Sequence, residues 1–329
     1  MEGDRGAGED EVVSAVPAFS GAEVERLLTP RACIAAVEEA FRGHALGTVP
    51  DPGLLGMHGP NGSFHVKAGF LGADRNYFAA KINANFPSNA SAGLPTIQGT
   101  ILLFDASNGA PLASMDSMSV TALRTAAASA IAARHLARKG ASRLLICGCG
   151  AQAAAQLRAM LCVCDAVAIV AYDLDGAKAE RFAAAMAAET GRDICASSDL
   201  RAAAMQSELI VTCTTSRRYF ITADMVKPGT FVAAVGADDE GKQEIDPALM
   251  ARSLVVTDLT AQAAKIGDLH HALEAGAMRV EDVHAQLGEV VAGLSPGRIS
   301  EGQVAIFDST GTGLQDVAAA VAVYRAAQA

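Results

Sequence analysis

Residues 143–153 constrain this chain more than any other stretch. Arg143–Cys147 is a short apolar strand, Gly148-Cys149-Gly150-Ala151-Gln152-Ala153 reads G-x-G-x-x-A, and a helical pattern follows from Ala151. Gly148 permits a tight turn, and Gly150 has no Cβ to hold a pyrophosphate away. Ala153 is small enough for the helix to lie close to its strand. The free N–H groups at the helix start, those of Ala151 and Gln152 among them, would face the phosphates. The next strand ends at Tyr172-Asp173, about 20 residues beyond the glycines, where an acid accepts the ribose hydroxyls and repels a 2′-phosphate. NAD(H) is therefore expected ahead of NADP(H). Thr212 and Thr214 follow a later strand at the same sheet edge and are expected to line the cofactor.

From Ser142 onward strands alternate with helices. Apolar runs at Leu209–Thr212, 230–235, 253–256 and 304–307 continue a pattern opened by 143–147 and 166–171. That rhythm implies an α/β fold with a doubly wound parallel sheet. The earlier part reads differently. Ser20-x-x-Glu23 is a capping box, and Thr29-Pro30 caps a second helix that ends near Gly47. A Pro/Gly-rich loop is expected over 48–62. Segments 63–70 and 77–86 partly alternate, and 99–105 and 110–115 flank the hairpin signal Ser107-Asn108-Gly109. An antiparallel sheet closed by a helix over 120–138 is expected here. The last helix, about 314–327, is free to return to it.

Composition excludes several classes. The 329 residues carry a net charge of −10, which opposes nucleic-acid binding, and Trp is absent. Hydrophobic residues reach 51%, yet the excess is mostly alanine and no apolar run is long enough for a membrane span. The acidic, glycine-rich residues 1–15 lack a signal-peptide pattern, so a disordered tail and a cytoplasmic location are expected. Seven cysteines, an odd number, fit reduced thiols. Cys147-x-Cys149 and Cys162-x-Cys164 read as small core residues rather than zinc half-sites. His270 and His271 are adjacent and should diverge on a helix, so no metal is expected.

A set of motifs together resembles the ornithine cyclodeaminase and μ-crystallin family. The carriers are Lys81-Ile82-Asn83 with Pro87, Gly93-Leu94-Pro95, Leu103-Phe104-Asp105 with Asn108-Gly109, and Leu123-Arg124-Thr125-Ala126-Ala127. The glycine turn, Val235-Gly236-Ala237-Asp238, Gly267-Asp268-Leu269 and Asp308-Ser309-Thr310-Gly311 complete it. The resemblance covers nearly everything from Ser20 onward. It implies a Rossmann domain (123–311) inserted into an α+β substrate domain (16–122 plus 312–329), and a homodimer formed through the sheet of the latter. It implies NAD(H)-dependent chemistry at the α-carbon of a small amino, imino or 2-oxo acid. Cyclodeaminases and nicotinamide-dependent binding proteins are the alternatives within the same family.

Hydride transfer asks the protein for orientation, charge placement and one proton site. By resemblance, Arg124 and Lys81 hold the substrate carboxylate and Asp238 contacts the amine and shuttles its proton. A guanidinium suits bidentate carboxylate binding, and an acid beside a protonated amine can take its proton as hydride leaves. Thr125 is assigned to the cofactor. Lys67 and His65 share a strand face, where Lys67 could serve a dicarboxylic or oxo-acid substrate. The early loop, Asp51-Pro52-Gly53-Leu54-Leu55-Gly56, lacks the arginine of the cyclodeaminase pattern, and the first strand offers His65 and Lys67 where that pattern has a glutamate. Both departures favour a reductase or dehydrogenase over a cyclodeaminase.

Overall fold

The computed structural model describes residues 16–329, so the tail expected over 1–15 lies outside them. Two sheets organise the chain. The first has six strands: β1 (Ala18–Phe19), β2 (Gly53–Gly59), β3 (Gly62–Gly72), β4 (Asn76–Asn85), β5 (Ile97–Asp105) and β6 (Pro111–Asp116). Their order is β1-β6-β5-β4-β3-β2, antiparallel except for β1 against β6. The 105–110 hairpin closes through Asp105 N–H to Ala110 O at 2.9 Å. Helices α1 (Gly21–Leu27) and α2 (Pro30–Ala45) start at the caps read from the sequence, Ser20 with Glu23 and Thr29 with Pro30.

One expectation fails here. Residues 53–59 are strand β2, not loop, and pair with β3 from Gly53↔Ala68 to Gly59↔Gly62. Three glycines and an unbroken Leu-Leu pair hide the alternation, so only the partner strand makes this segment regular.

The helix α3 (Ser117–Leu136), capped by Asp116, leads to the second sheet. A division at 122/123 falls inside this continuous helix, which packs on both sheets. Then come β7 (Arg143–Cys147), α4 (Ala153–Met160), β8 (Ala168–Tyr172), α5 (Gly176–Thr190), β9 (Ile194–Ala196), α6 (Leu200–Gln206) and β10 (Leu209–Thr212). A small ladder pairs β11 (Arg217–Ile221) with β13 (Gln243–Ile245), on either side of β12 (Phe231–Ala234). There follow α7 (Pro247–Ala251), β14 (Leu254–Thr257), α8 (Thr260–Ile266), α9 (Asp268–Glu274), β15 (Ala285–Gln286), α10 (Leu287–Val291) and β16 (Ala305–Asp308). The eight-stranded sheet is parallel throughout, in the order β15-β14-β16-β12-β10-β7-β8-β9. Strand order reverses at β7, which lies between β10 and β8, and such sheets place ligands at the carboxyl ends there.

The last helix, α11 (Gly313–Ala326), returns to the first sheet and packs on β3, β4 and α2. Successive strand side chains alternate between faces. Tyr77, Ala79, Lys81, Ile101 and Leu103 are buried on the face covered by helices. The opposite face leaves Leu55, Met57, Phe64, Phe70 and Ile82 exposed. Among the described residues no helix is long and apolar enough to cross a membrane.

Candidate active site

The glycine turn sits at the carboxyl end of β7. Gly148 has φ +92°, and a Cβ there would strike Thr214 Cγ2 at 2.8 Å. The space beside Gly150 is open, with only Lys178 Nζ near at 3.8 Å. The helix begins at Ala153, two residues later than the sequence suggests, because Ala151 and Gln152 form a turn first. No side chain caps it, so its first N–H groups remain available to an anion.

Asp173 ends β8 beside this turn. Its Oδ2 accepts from Cys149 N–H at 2.8 Å and its Oδ1 from Asp175 N–H at 3.0 Å. Lys178 Nζ lies 3.3 Å from Oδ2. Burial raises the Asp173 pKa, but the two amides and Lys178 outweigh it and hold the carboxyl below its ordinary value. These residues fit a dinucleotide: an open approach at Gly150, unpaired helix amides, and an ionised acid where a ribose would lie.

A cavity of about 680 Å³ runs from here to the first sheet. Gly148, Gly150, Ala151, Gln152, Asp173, Thr125 and Thr214 line one end, and His65, Lys67, Lys81, Arg124 and Asp238 line the other. Thr212 does not line it. Its hydroxyl is fully buried and donates to Glu244 Oε2 at 2.7 Å, because the strand's alternation turns it away from the cleft. Glu244, which sequence reasoning missed, also accepts from Thr214 N–H and Oγ1 and from Gly236 N–H, each at 2.7 Å. It ties the loop after β10 to the loop after β12. Burial raises its pKa.

The cationic end has a second residue that the sequence did not flag. Asp316, on the first turn of α11, accepts from Lys81 Nζ at 3.0 Å and from Arg124 Nε at 2.8 Å. Gln315 Oε1 takes a further Arg124 N–H at 2.7 Å. Gly311 (φ +72°) leaves the room the guanidinium needs, since a Cβ there would collide with Arg124. All three ionic groups are nearly fully buried. Burial, with Arg124 nearby, pushes the Lys81 pKa down to about 7 although Asp316 opposes this.

Lys67 stands directly opposite Lys81 in the ladder. Its amino group donates to Thr310 O at 3.0 Å and Gly311 O at 2.7 Å. Burial and Arg124 lower its pKa. His65 Nε2 pairs with Ser63 Oγ at 3.0 Å. Burial and Lys67 lower the imidazole pKa. Asp238 is half exposed and lies 2.5 Å from Lys242 Nζ. Loss of water raises its pKa, but Lys242, Lys67 and Arg124 outweigh this and keep it below its ordinary value.

The cysteines next to the glycine turn are packing groups. Cys147 is buried between strands, and burial pushes Cys149 up to about 11. His270 and His271 diverge less than expected: their ring centres are 5.1 Å apart, and both reach Glu274.

A family model described as the ornithine cyclodeaminase/mu-crystallin family matches residues 16–329. The chain belongs to that family. Solved relatives extend over nearly the whole length. An archaeal alanine dehydrogenase dimer with bound NAD is 37% identical, with TM-score 0.90 over 95% of this chain and 96% of its own. A Δ1-pyrroline-2-carboxylate reductase from Thermococcus litoralis, in complex with NADH and L-proline, is 30% identical, with TM-score 0.90 over 95% and 98%. The iminosuccinate reductase of Paracoccus denitrificans, in complex with NAD+, is 36% identical, with TM-score 0.88 over 95% and 96%. Within the ornithine cyclodeaminase/mu-crystallin family this chain is an NAD(H)-dependent oxidoreductase of the amino and imino acid class.

Proposed function

We propose that the chain interconverts a small α-amino acid with its imino acid, with Arg124 and Lys81 holding the α-carboxylate and Asp238 serving the nitrogen. Bound NAD(H) supplies or accepts the hydride. In the oxidative direction the Cα–H pair leaves as hydride, a C=N bond forms, and the ammonium loses a proton. Asp238 is held as a carboxylate by Lys242, Lys67 and Arg124, so it is charged and able to accept that proton. In the reductive direction it returns the proton to nitrogen. The carrying observation is that one cavity joins the Gly148–Gly150 turn and Asp173 to Lys81, Arg124 and Asp238. A 2-oxo acid plus ammonia is the same reaction after condensation.

The test is NADH oxidation with a panel of 2-oxo acids plus ammonia or methylamine, and with cyclic imines. Turnover of at least one, lost in Asp238→Asn, is the expected result. Silence across the panel overturns the reading.

The same reading includes a homodimer built on the first sheet. Leu55, Met57 and Phe64 are 54%, 60% and 46% exposed on its open face, an apolar surface of the kind that marks an interface. A dimer mass by light scattering, reduced to a monomer by Met57→Glu with Phe64→Glu, supports it. A wild-type monomer refutes it.

A further inference from the structure

The first sheet carries a polar row that binding of one carboxylate does not use. Ser63, His65 and Lys67 share a face of β3, and their ladder partners are Asn85, Asn83 and Lys81 on β4. Apart from Ser63, all of these line the cavity.

Three facts set Lys67 apart. It has no carboxylate within 4.0 Å among the described residues, while Lys81 and Arg124 share Asp316 and Lys242 holds Asp238. It faces Lys81 across the ladder, and like charges at such a position repel. Its two acceptors are backbone carbonyls, and an ammonium has three N–H donors. One donor is therefore unspent at a site lined by the cavity. Lys81 and Arg124 contact Asp316, Asp238 is paired with Lys242, and Asp258 accepts from Thr310 Oγ1 and Gly311 N–H. An α-carboxylate held by Lys81 and Arg124 therefore leaves Lys67 with no acid in contact.

Beyond Lys67 along the strand lies His65, whose Nε2 is occupied by Ser63. Opposite it, Asn83 Oδ1 is buried without a partner. A half-turn of the amide exchanges its oxygen for its NH2, which can donate to a carboxylate. Lys67 stands directly across the ladder from Lys81, where partner side chains start about 5 Å apart, a span that suits the two carboxylates of a short diacid.

We infer that the substrate is dicarboxylic, its second carboxylate held by Lys67 with His65 and Asn83 beside it. This rests on the proposed amino and imino acid chemistry. The site would then prefer an imino acid of four or five carbons with an acid at its far end.

The experiment compares oxaloacetate plus ammonia with pyruvate plus ammonia, both with NADH, in wild type, Lys67→Met, Lys67→Arg and His65→Asn. The expected kcat/KM ratio favours the diacid in wild type by about tenfold or more, the scale of one charge-assisted contact. Lys67→Met should abolish that ratio, Lys67→Arg should keep most of it, and His65→Asn should reduce it. A wild type that prefers pyruvate overturns the inference. So does a Lys67→Met variant that loses both activities equally, since Lys67 would then only strap the 310–311 turn. Binding is measured in parallel by calorimetry, with succinate and propionate titrated into the enzyme–NADH complex. Tighter succinate binding that depends on Lys67 but comes with no turnover upholds the subsite and sinks the reaction. Turnover of monoacids without tighter succinate binding does the reverse.

Discussion

Asp316 and Lys81 stand 235 positions apart in the chain and meet at 3.0 Å in the substrate end of the cleft. The same carboxylate holds Arg124 at 2.8 Å. Removing one member of a buried ionic group leaves uncompensated charge, at a cost of about 3–5 kcal/mol. Asp316→Asn is therefore expected to lower the urea midpoint strongly, and sulfate or a substrate diacid should recover part of the loss. An unchanged midpoint would show that the two cations do not need this partner.

The low Lys81 pKa, about 7, gives a pH dependence with a definite sign. The protonated amine binds a carboxylate and the neutral amine does not. In the free enzyme the charge disappears as pH rises through 7, so kcat/KM should fall above that point. Bound carboxylate holds the proton on, so kcat should fall less. Arginine stays charged throughout this range, and Lys81→Arg should flatten the alkaline limb. Profiles from pH 6 to 9 check this, and a wild-type kcat/KM with no alkaline limb contradicts it.

Asp173 and Lys178 form the pair that sets cofactor preference. Asp173→Ala removes a charged acceptor, which is expected to weaken NADH by about tenfold. It also frees Lys178 for a 2′-phosphate, so NADPH should bind more tightly than to wild type. Fluorescence titration with both cofactors measures the two constants. Unchanged NADH affinity would place the ribose elsewhere.

Buried acids give the fold its own pH response. Asp308 accepts from Leu269 N–H at 2.8 Å and Asp268 N–H at 3.3 Å and pairs with no cation among the described residues. Burial raises its pKa to about 7, the neighbouring charges of Asp258 and Glu244 add to this, and the two amides oppose it. Its folded pKa lies above its unfolded one. The stability it contributes is complete below the unfolded value and is lost as pH rises to about 7. Asp308→Asn lacks that loss. Its melting temperature should therefore gain on wild type between about pH 4 and 7 and level off above that, and parallel curves over this range would exclude the effect.

What the sequence reveals about this site is the local part. The glycine turn, Asp173 and the caps at Ser20 and Thr29 are set by neighbours within a few residues or by one βαβ unit. Lys81, Arg124 and Asp238 are visible through the motifs that carry the family resemblance. Asp316, Gln315 and Glu244 leave no such trace, because each acts on partners that only the fold brings near. Glu244 lies 32 positions from Thr212 and 30 from Thr214. Thr212 shows the converse: the right strand end, but a side chain turned to the wrong face. Strand β2 needed β3 to become regular, and no single-segment pattern could announce it.

The placement of α11 has a consequence for biosynthesis. A ribosome releases the dinucleotide turn some 160 residues before the acid that pairs with both Lys81 and Arg124. A growing chain halted ahead of Gly313 has Lys81 and Arg124 but not the carboxylate that both contact. In synthesis order the pocket's carboxylate therefore arrives after both elements whose cations it pairs, β4 with Lys81 and α3 with Arg124.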